Sequence, residues 1–138
     1  MLLDTHVWIW GAEGNRRQLG RRMLRLLERA GAAGELQIAT VSIFELVCLY
    51  VAGRLEASRP IEAWIRESIE QSQLRVADIT TQVAIDGGMI PAAVLPDPFD
   101  RILVATARQL DLPLATRDRR ILDYAARTHR VRVVDASA

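Results

Sequence analysis

The chain opens with Met1-Leu2-Leu3-Asp4-Thr5-His6, a short apolar run that ends abruptly at a carboxylate. Strand interiors tend to exclude Asp, so Asp4 is predicted to be the last residue of a buried strand or the first one past it. In an open α/β sheet, ligands bind in the crevice beyond the carboxyl ends of the strands. Asp4 is therefore part of a metal site if other acids reach the same edge, and a turn residue if they do not.

The composition restricts the class of protein. The 138 residues suffice for one domain with a real core, and we expect a single domain over residues 1–138. No apolar run approaches the roughly 18 residues that a membrane span needs, and the amino terminus lacks the pattern of a signal peptide. A single cysteine, Cys48, excludes an internal disulfide framework and is compatible with a reducing cytoplasm. Because the only two histidines, His6 and His129, are distant in sequence, any bound metal must be held by oxygen.

The charge pattern leaves two interpretations open. The net charge of +1 is too small to indicate nucleic-acid binding by bulk electrostatics. All 18 basic residues are nevertheless arginine, whose guanidinium group binds phosphate bidentately. An arginine face on the predicted helix 17–30 either follows phosphates or is simply a solvated surface. Codon usage in a GC-rich genome is the simpler explanation of the bias.

Strand and helix patterns alternate along the chain. Strands are predicted at the amino terminus and over 36–39, 74–79, 113–116 and 131–134. Helices are predicted over 7–10, 17–30, 43–51, 60–71, 80–90, 99–110 and 119–127, with Gly11 and Gly14 ending the first. This alternation favours an α/β fold with a parallel sheet covered on both faces.

Several acids have structural explanations that must be weighed first. The segment from Ser42 to Glu45 has the pattern of a capping box. Asp97 is a candidate N-cap before a proline, and Asp100 would then be favoured by the helix dipole. Asp118 can cap the helix that follows it. Taken one at a time, these acids need no functional explanation.

Taken together, the acids predict something else. Asp4 and Asp118 end predicted strands, Glu45 and Asp100 lie in the first turns of predicted helices, and such positions share one edge of a parallel sheet. Carboxylates that converge on one crevice repel each other and have raised pKa values. A hard cation such as Mg²⁺ or Mn²⁺ removes that penalty, and it can activate water and stabilise charge on a phosphoryl group. The acids therefore predict metal-assisted phosphodiester hydrolysis.

The chain resembles the PIN domains, specifically the VapC-type toxin ribonucleases of VapBC toxin–antitoxin pairs. The resemblance covers nearly the whole length and rests on segments 2–8 (LLDTHVW), 42–46 (SIFEL), 53–55 (GRL), 97–101 (DPFDR) and 114–118 (LATRD). It implies a three-layer α/β/α sandwich with a central, mainly parallel sheet. Val94-Leu95-Pro96 departs from the family, whose members commonly have a polar or basic pair before the Asp-Pro-Phe-Asp segment.

The resemblance also implies a set of site residues. Four acids would form the catalytic site and hold Mg²⁺ or Mn²⁺, with Asp4 and Asp100 as the principal ligands: Asp4, Glu45, Asp100 and Asp118. Four neighbours are expected to orient these carboxylates or a water molecule: Thr5, Ser42, Asp97 and Thr116. Arg101 and Arg117 are expected either to contact phosphates of the substrate or to pair with the neighbouring acids. His6 is expected to be neutral and packed.

The implied protein is a cytoplasmic endoribonuclease that forms a homodimer and is inhibited by a cognate antitoxin. The apolar segments Val7–Trp10 and Ile43–Val51 would either be core or form a groove for such a partner. A non-catalytic PIN-like RNA-binding or scaffold domain is the alternative, and a DNA nuclease is a variant. A receiver domain needs a lysine, which the chain lacks, and a haloacid-dehalogenase site needs an acid where His6 stands.

Overall fold

Five short strands form the centre of the fold. The structure is a computed structural model and describes residues 1–138. The strands are β1 (Leu2–Leu3), β2 (Gln37–Ala39), β3 (Arg75–Ala77), β4 (Leu114–Thr116) and β5 (Val133–Asp135). The helices are α1 (Thr5–Ala12), α2 (Arg21–Ala32), α3 (Thr40–Val51), α4 (Ile61–Gln71), α5 (Thr81–Met89), α6 (Pro98–Gln109) and α7 (Arg119–Thr128). None of these helices is long and apolar enough to cross a membrane.

All neighbouring strands are parallel, in the order β3-β2-β1-β4-β5. The central strand β1 pairs on both sides, with Leu2 opposite Gln37 of β2 and Leu114 of β4. The chain proceeds outward from β1 to β3 and then returns across the sheet to β4. The direction of winding therefore reverses between β1 and β4, which is where ligands bind in open α/β sheets.

Helices cover both faces of the sheet because its side chains alternate between two cores. Leu2 and Leu114 face one core, which α6, α7 and the residue after α5, Ile90, complete. Leu3 and Ala115 face a second core with α1, α2 and α4. The helix α3 contributes Leu46 to the second core. The three-layer α/β/α sandwich with a parallel sheet is confirmed.

The first helix is part of the core rather than of an open groove. Val7, Trp8 and Ile9 are buried, and the indole Nε1 of Trp8 donates a hydrogen bond to Ser68 Oγ at 2.7 Å. A buried indole retains its donor only where a partner is available. Of the two alternatives for Val7–Trp10, core and groove, the structure shows core for these three residues.

Two helix starts differ from the sequence prediction by three residues or more. The helix predicted from residue 17 begins at Arg21, because Gly20 bends back to donate its amide to Ala136 O at 2.9 Å. The helix predicted from residue 43 begins at Thr40, directly after β2, and the Thr40 hydroxyl donates to Ala77 O of β3. Ser42 is therefore inside the first turn, and the capping-box interpretation is wrong.

Adjacent glycines in α5 provide a matched test of how closely α5 and α6 pack. A Cβ atom on Gly87 would lie 3.3 Å from the carbonyl oxygen of Arg101, whereas one on Gly88 would meet nothing within 4 Å. Alanine at an open helix position gains about 1 kcal/mol over glycine. We expect Gly88→Ala to stabilise the protein by roughly this amount and Gly87→Ala to gain nothing, as measured by urea unfolding. Equal stabilisation by both variants would show that α5 is not held against α6 at Gly87.

Candidate active site

The first carboxylate lies at the carboxyl edge of the central strand. The Asp4 amide donates to Ala115 O at 3.0 Å and so continues the ladder between β1 and β4. Its Oδ2 atom accepts a hydrogen bond from the Thr116 hydroxyl at 2.5 Å. Burial raises the pKa of Asp4 above its ordinary value, and the Thr116 bond opposes that increase. Asp4 is thus held in place at a position where its charge is unfavourable.

Thr116 joins two of the acids at the end of β4. Its hydroxyl donates to Asp4 and accepts the backbone amide of Asp118 at 2.9 Å. The Asp118 carboxylate in turn accepts the amide of Arg120 at 2.7 Å and caps α7. The capping role of Asp118 is confirmed, and the same loop brings it close enough to Asp4 to raise the pKa of that carboxyl, although burial is the larger cause.

Glu45 reaches the same edge from the second turn of α3. Its Oε2 atom accepts a hydrogen bond at 2.6 Å from the hydroxyl of Thr5, which is fully buried at the start of α1. Burial raises the pKa of Glu45, and repulsion by Asp4 and Asp97 adds to that increase. The prediction that Glu45 lies near Asp4 is therefore confirmed. The prediction that it lies in the first turn of its helix is wrong.

Asp100 is the most perturbed acid of the group. The Asp97 carboxylate accepts the Phe99 amide at 2.9 Å and caps α6, which places Asp100 in the first turn. The pKa of Asp100 is raised to about 8, first by burial and then by repulsion from the other acids, namely Asp97, Asp118, Asp4 and Glu45. All four acids predicted from the sequence, together with Asp97, thus lie close together at the edge of the sheet where the topology predicts a crevice.

No salt bridge of the protein compensates this charge. Its three salt bridges involve other residues: Arg59–Glu67, Arg66–Glu62 and Arg132–Asp111. Arg117 instead donates to the carbonyl and side-chain oxygens of Gln18, both at 2.8 Å, and lies over the Trp10 ring. Arg101 has a buried Nε without a hydrogen-bond partner. Neither arginine forms a salt bridge with the neighbouring acids, which was one of the two sequence expectations.

His6 is exposed beside the crevice, so the expectation of a packed histidine is wrong. Its ring lies 5.5 Å from that of Trp10, tilted by 45°. Burial raises the pKa values of Asp4 and Glu45, and the nearby His6 imidazole opposes both increases. Because His6 follows Asp4 closely in sequence, at the junction of β1 and α1, the sequence could have predicted its position beside the acids.

Ser42 leaves a buried hydroxyl without a partner. The side chain is fully buried in the first turn of α3, one turn before Glu45. Its Oγ atom makes no hydrogen bond, which costs on the order of 1–3 kcal/mol for a buried polar group. The predicted role of Ser42 in orienting a carboxylate or a water molecule stays a prediction.

The donor set fits a hard divalent cation. Buried carboxylates that are destabilised by desolvation and by each other are the ligands that such a cation relieves. As the side chains stand, however, no group of three or more acidic, histidine or cysteine side chains is arranged to hold an ion. Asp4 and Glu45 each point to a threonine hydroxyl instead.

Comparison with known proteins identifies the family. The model of the PIN domain matches residues 1–127. The chain belongs to the PIN-domain family. This PIN domain is 34% identical over 125 residues to Ribonuclease VapC22 of Mycobacterium tuberculosis, and the match covers 90% of this chain and 91% of that protein.

Two solved structures have the same fold as this PIN domain. The DNA-bound VapBC of Salmonella typhimurium matches with a TM-score of 0.68 at 22% identity, covering 96% of this chain and 95% of that one. VapBC2 of Rickettsia felis, bound to a DNA fragment from its promoter, matches with a TM-score of 0.67 at 13% identity, covering 96% of each chain. The family predicted from the sequence is confirmed.

The raised pKa of Asp100 predicts how stability depends on pH. The unfolded chain ionises Asp100 near its ordinary value of 3.8, whereas the folded protein keeps the proton up to about pH 8. Stability that is present below the unfolded pKa is therefore lost as pH rises through the folded one. We expect Asp100→Asn to reduce this loss between pH 4 and 8 by on the order of 1–2 kcal/mol after screening by solvent is allowed for.

The measurement is urea unfolding in EDTA at several pH values. Asp86→Asn is the matched control, because Asp86 lies on α5 and is not among the acids that shift the pKa of Asp100. An unchanged pH dependence of the free energy of unfolding in Asp100→Asn would show that the Asp100 carboxyl does not cause this loss of stability.

Proposed function

We propose that this PIN domain is a Mg²⁺- or Mn²⁺-dependent endoribonuclease that acts as the toxin of a type II toxin–antitoxin pair. The observation that carries the proposal is the convergence of four acids at the reversal point of the sheet: Asp4, Glu45, Asp100 and Asp118. The 34% identity to Ribonuclease VapC22 over nearly the whole chain supports RNA as the substrate. We assign the protein and its RNA substrate to the cytoplasm, and the free thiol of Cys48 is consistent with that compartment.

Each acid has a proposed role. Asp4, Glu45 and Asp100 would hold the divalent ion, and Asp118 would help to hold it or to orient a water molecule. When bound, such an ion supplies a Lewis acid that activates water and offsets charge on the phosphoryl group. Thr5 and Thr116 fix the Glu45 and Asp4 carboxylates through hydrogen bonds that stand without the ion.

Further side chains prepare the crevice for this role. Asp97 caps α6 and thereby keeps Asp100 at the crevice. Repulsion from its own charge also raises the pKa of Asp100. Arg117 is exposed directly after β4 and is held by Gln18 and Trp10 rather than by the acids. We assign it a contact with a substrate phosphate, and we assign the same role to Arg101.

Substitution of the acids tests the chemistry. We expect Asp4→Asn and Asp100→Asn each to reduce divalent-dependent cleavage of RNA by at least about 100-fold, because each removes a charge that the ion requires. Both variants should remain folded. Asp86→Asn should cleave like the unmodified protein. Retained cleavage by either site variant would refute the assignment, and RNA binding without cleavage by the unmodified protein would favour the non-catalytic alternative.

An antitoxin is proposed as the protein partner, with a groove between α3 and α4 as its binding surface. The groove has a volume of about 510 Å³ and is walled by isoleucine and valine side chains: Ile43, Val47, Ile61, Ile65 and Ile69. Glu62 and Arg66 form a salt bridge on its rim. The VapBC complexes that share this fold support a partner of this kind.

The groove can be tested separately from the active site. Ile61→Glu places a charge in the groove at the first residue of α4, where an acid suits the helix dipole and disturbs folding least. We expect this variant to lose binding of a co-expressed antitoxin while retaining RNA cleavage. Light scattering on the purified chain should show the homodimer that the family resemblance implies. Antitoxin binding at full strength by Ile61→Glu would place the partner elsewhere.

A further inference from the structure

The rim of the crevice carries an aromatic side chain that the acids do not use. Phe44 directly precedes Glu45 in α3 and is 61% exposed. Phe99 directly precedes Asp100 in α6, and its ring meets that of Phe44 at 5.7 Å with an angle of 70°. Since successive helix residues point about 100° apart, Phe44 lies beside the carboxylates rather than among them. An aromatic pair therefore bridges the two helices that deliver Glu45 and Asp100.

The pair is built so that one ring is supported and the other is open. Phe99 is half-buried and packs against the core beneath α6. The edge-to-face contact with Phe99 restricts the Phe44 side chain, although most of its surface remains in water. An exposed phenylalanine contributes little to folding, and its position beside the acids leaves the ring available to a ligand with an aromatic face.

We propose that Phe44 stacks on an unpaired nucleobase next to the phosphate that is cut. This inference rests on the proposed ribonuclease function and names how that site holds its substrate. Single-stranded RNA presents unstacked bases, and proteins bind them by stacking on aromatic side chains. Phe44 would thus position a single-stranded segment, so that the neighbouring phosphate lies at the acids.

The surroundings of Phe44 favour a nucleobase over an apolar protein segment. Glu45 and Asp100 directly follow the two phenylalanines in sequence, and both acids keep part of their surface in water. A protein segment packed onto Phe44 would bury these acids further, at additional cost. A stacked base covers the ring and leaves the edge of the crevice wet.

The test compares substitutions at Phe44 with one at Val51. Val51 is 78% exposed on the same helix, about 10 Å further along its axis at 1.5 Å per residue, and is remote from the acids. We expect Phe44→Ala to lower kcat/KM for a single-stranded RNA oligonucleotide by roughly 5- to 100-fold. Phe44→Leu should lose nearly as much, Phe44→Trp should remain within about 3-fold, and Val51→Ala should be unchanged.

A binding measurement separates this inference from the proposed catalysis. Oligonucleotides carrying 2-aminopurine at successive positions are titrated into the Asp100→Asn variant, and stacking on Phe44 should quench one position only. Phe44→Ala on that background should abolish the quenching. If the unmodified protein never cleaves RNA but this quenching is observed, the proposed ribonuclease function is refuted and the stacking on Phe44 is supported. Normal cleavage and unchanged quenching in Phe44→Ala, or full activity in Phe44→Leu, overturns the stacking. Normal cleavage with loss of a protein partner reassigns Phe44 to that partner.

Discussion

Repulsion between buried carboxylates is the constraint on which the site depends. Burial and four other acids raise the pKa of Asp100, and none of these acids takes part in a salt bridge of the protein. Such an arrangement is unfavourable for folding by itself. Its cost is tolerated because the hydrophobic cores on both faces of the sheet stabilise the positions of β1, β4 and their flanking helices. The strain is the reason that a divalent cation suits this crevice.

Hydroxyl groups, rather than arginines, hold the acids in place. Thr5 and Thr116 are fully buried, and the hydroxyl of each donates a hydrogen bond to one carboxylate. A neutral donor fixes the orientation of a carboxylate without neutralising it, so that the charge remains available to an ion. Arg117 is instead held by Gln18 and Trp10, so it forms no salt bridge with the acids.

The sequence was sufficient for the acids because their positions follow from topology. An apolar strand that ends in Asp4 and another followed by Asp118 must deliver both to one edge once the sheet is parallel. Helix starts were harder to predict. The start of α3 at Thr40 depends on a hydrogen bond from its hydroxyl to Ala77, a residue 37 positions away, and local patterns carry no information about such contacts.

Side-chain surroundings were the other part that the sequence could not supply. The exposure of His6 depends on α1 beginning directly after Asp4 and on the tilted contact with Trp10. The contact between Arg117 and Gln18 joins residues 99 positions apart and has no sequence signal. The pairing of Phe44 with Phe99 likewise arises only when α3 and α6 are packed together.

The unpaired carboxyl groups can be tested directly by counting the protons released when the ion binds. Isothermal titration of Mn²⁺ into the protein at pH 7, in buffers of different ionisation enthalpy, gives this number. With the pKa of Asp100 raised to about 8, we expect about one proton to be released for each ion bound. Asp100→Asn should release far fewer protons and bind more weakly. Tight binding with no proton release, or no binding of Mn²⁺ at all, would contradict a cation site built from these acids.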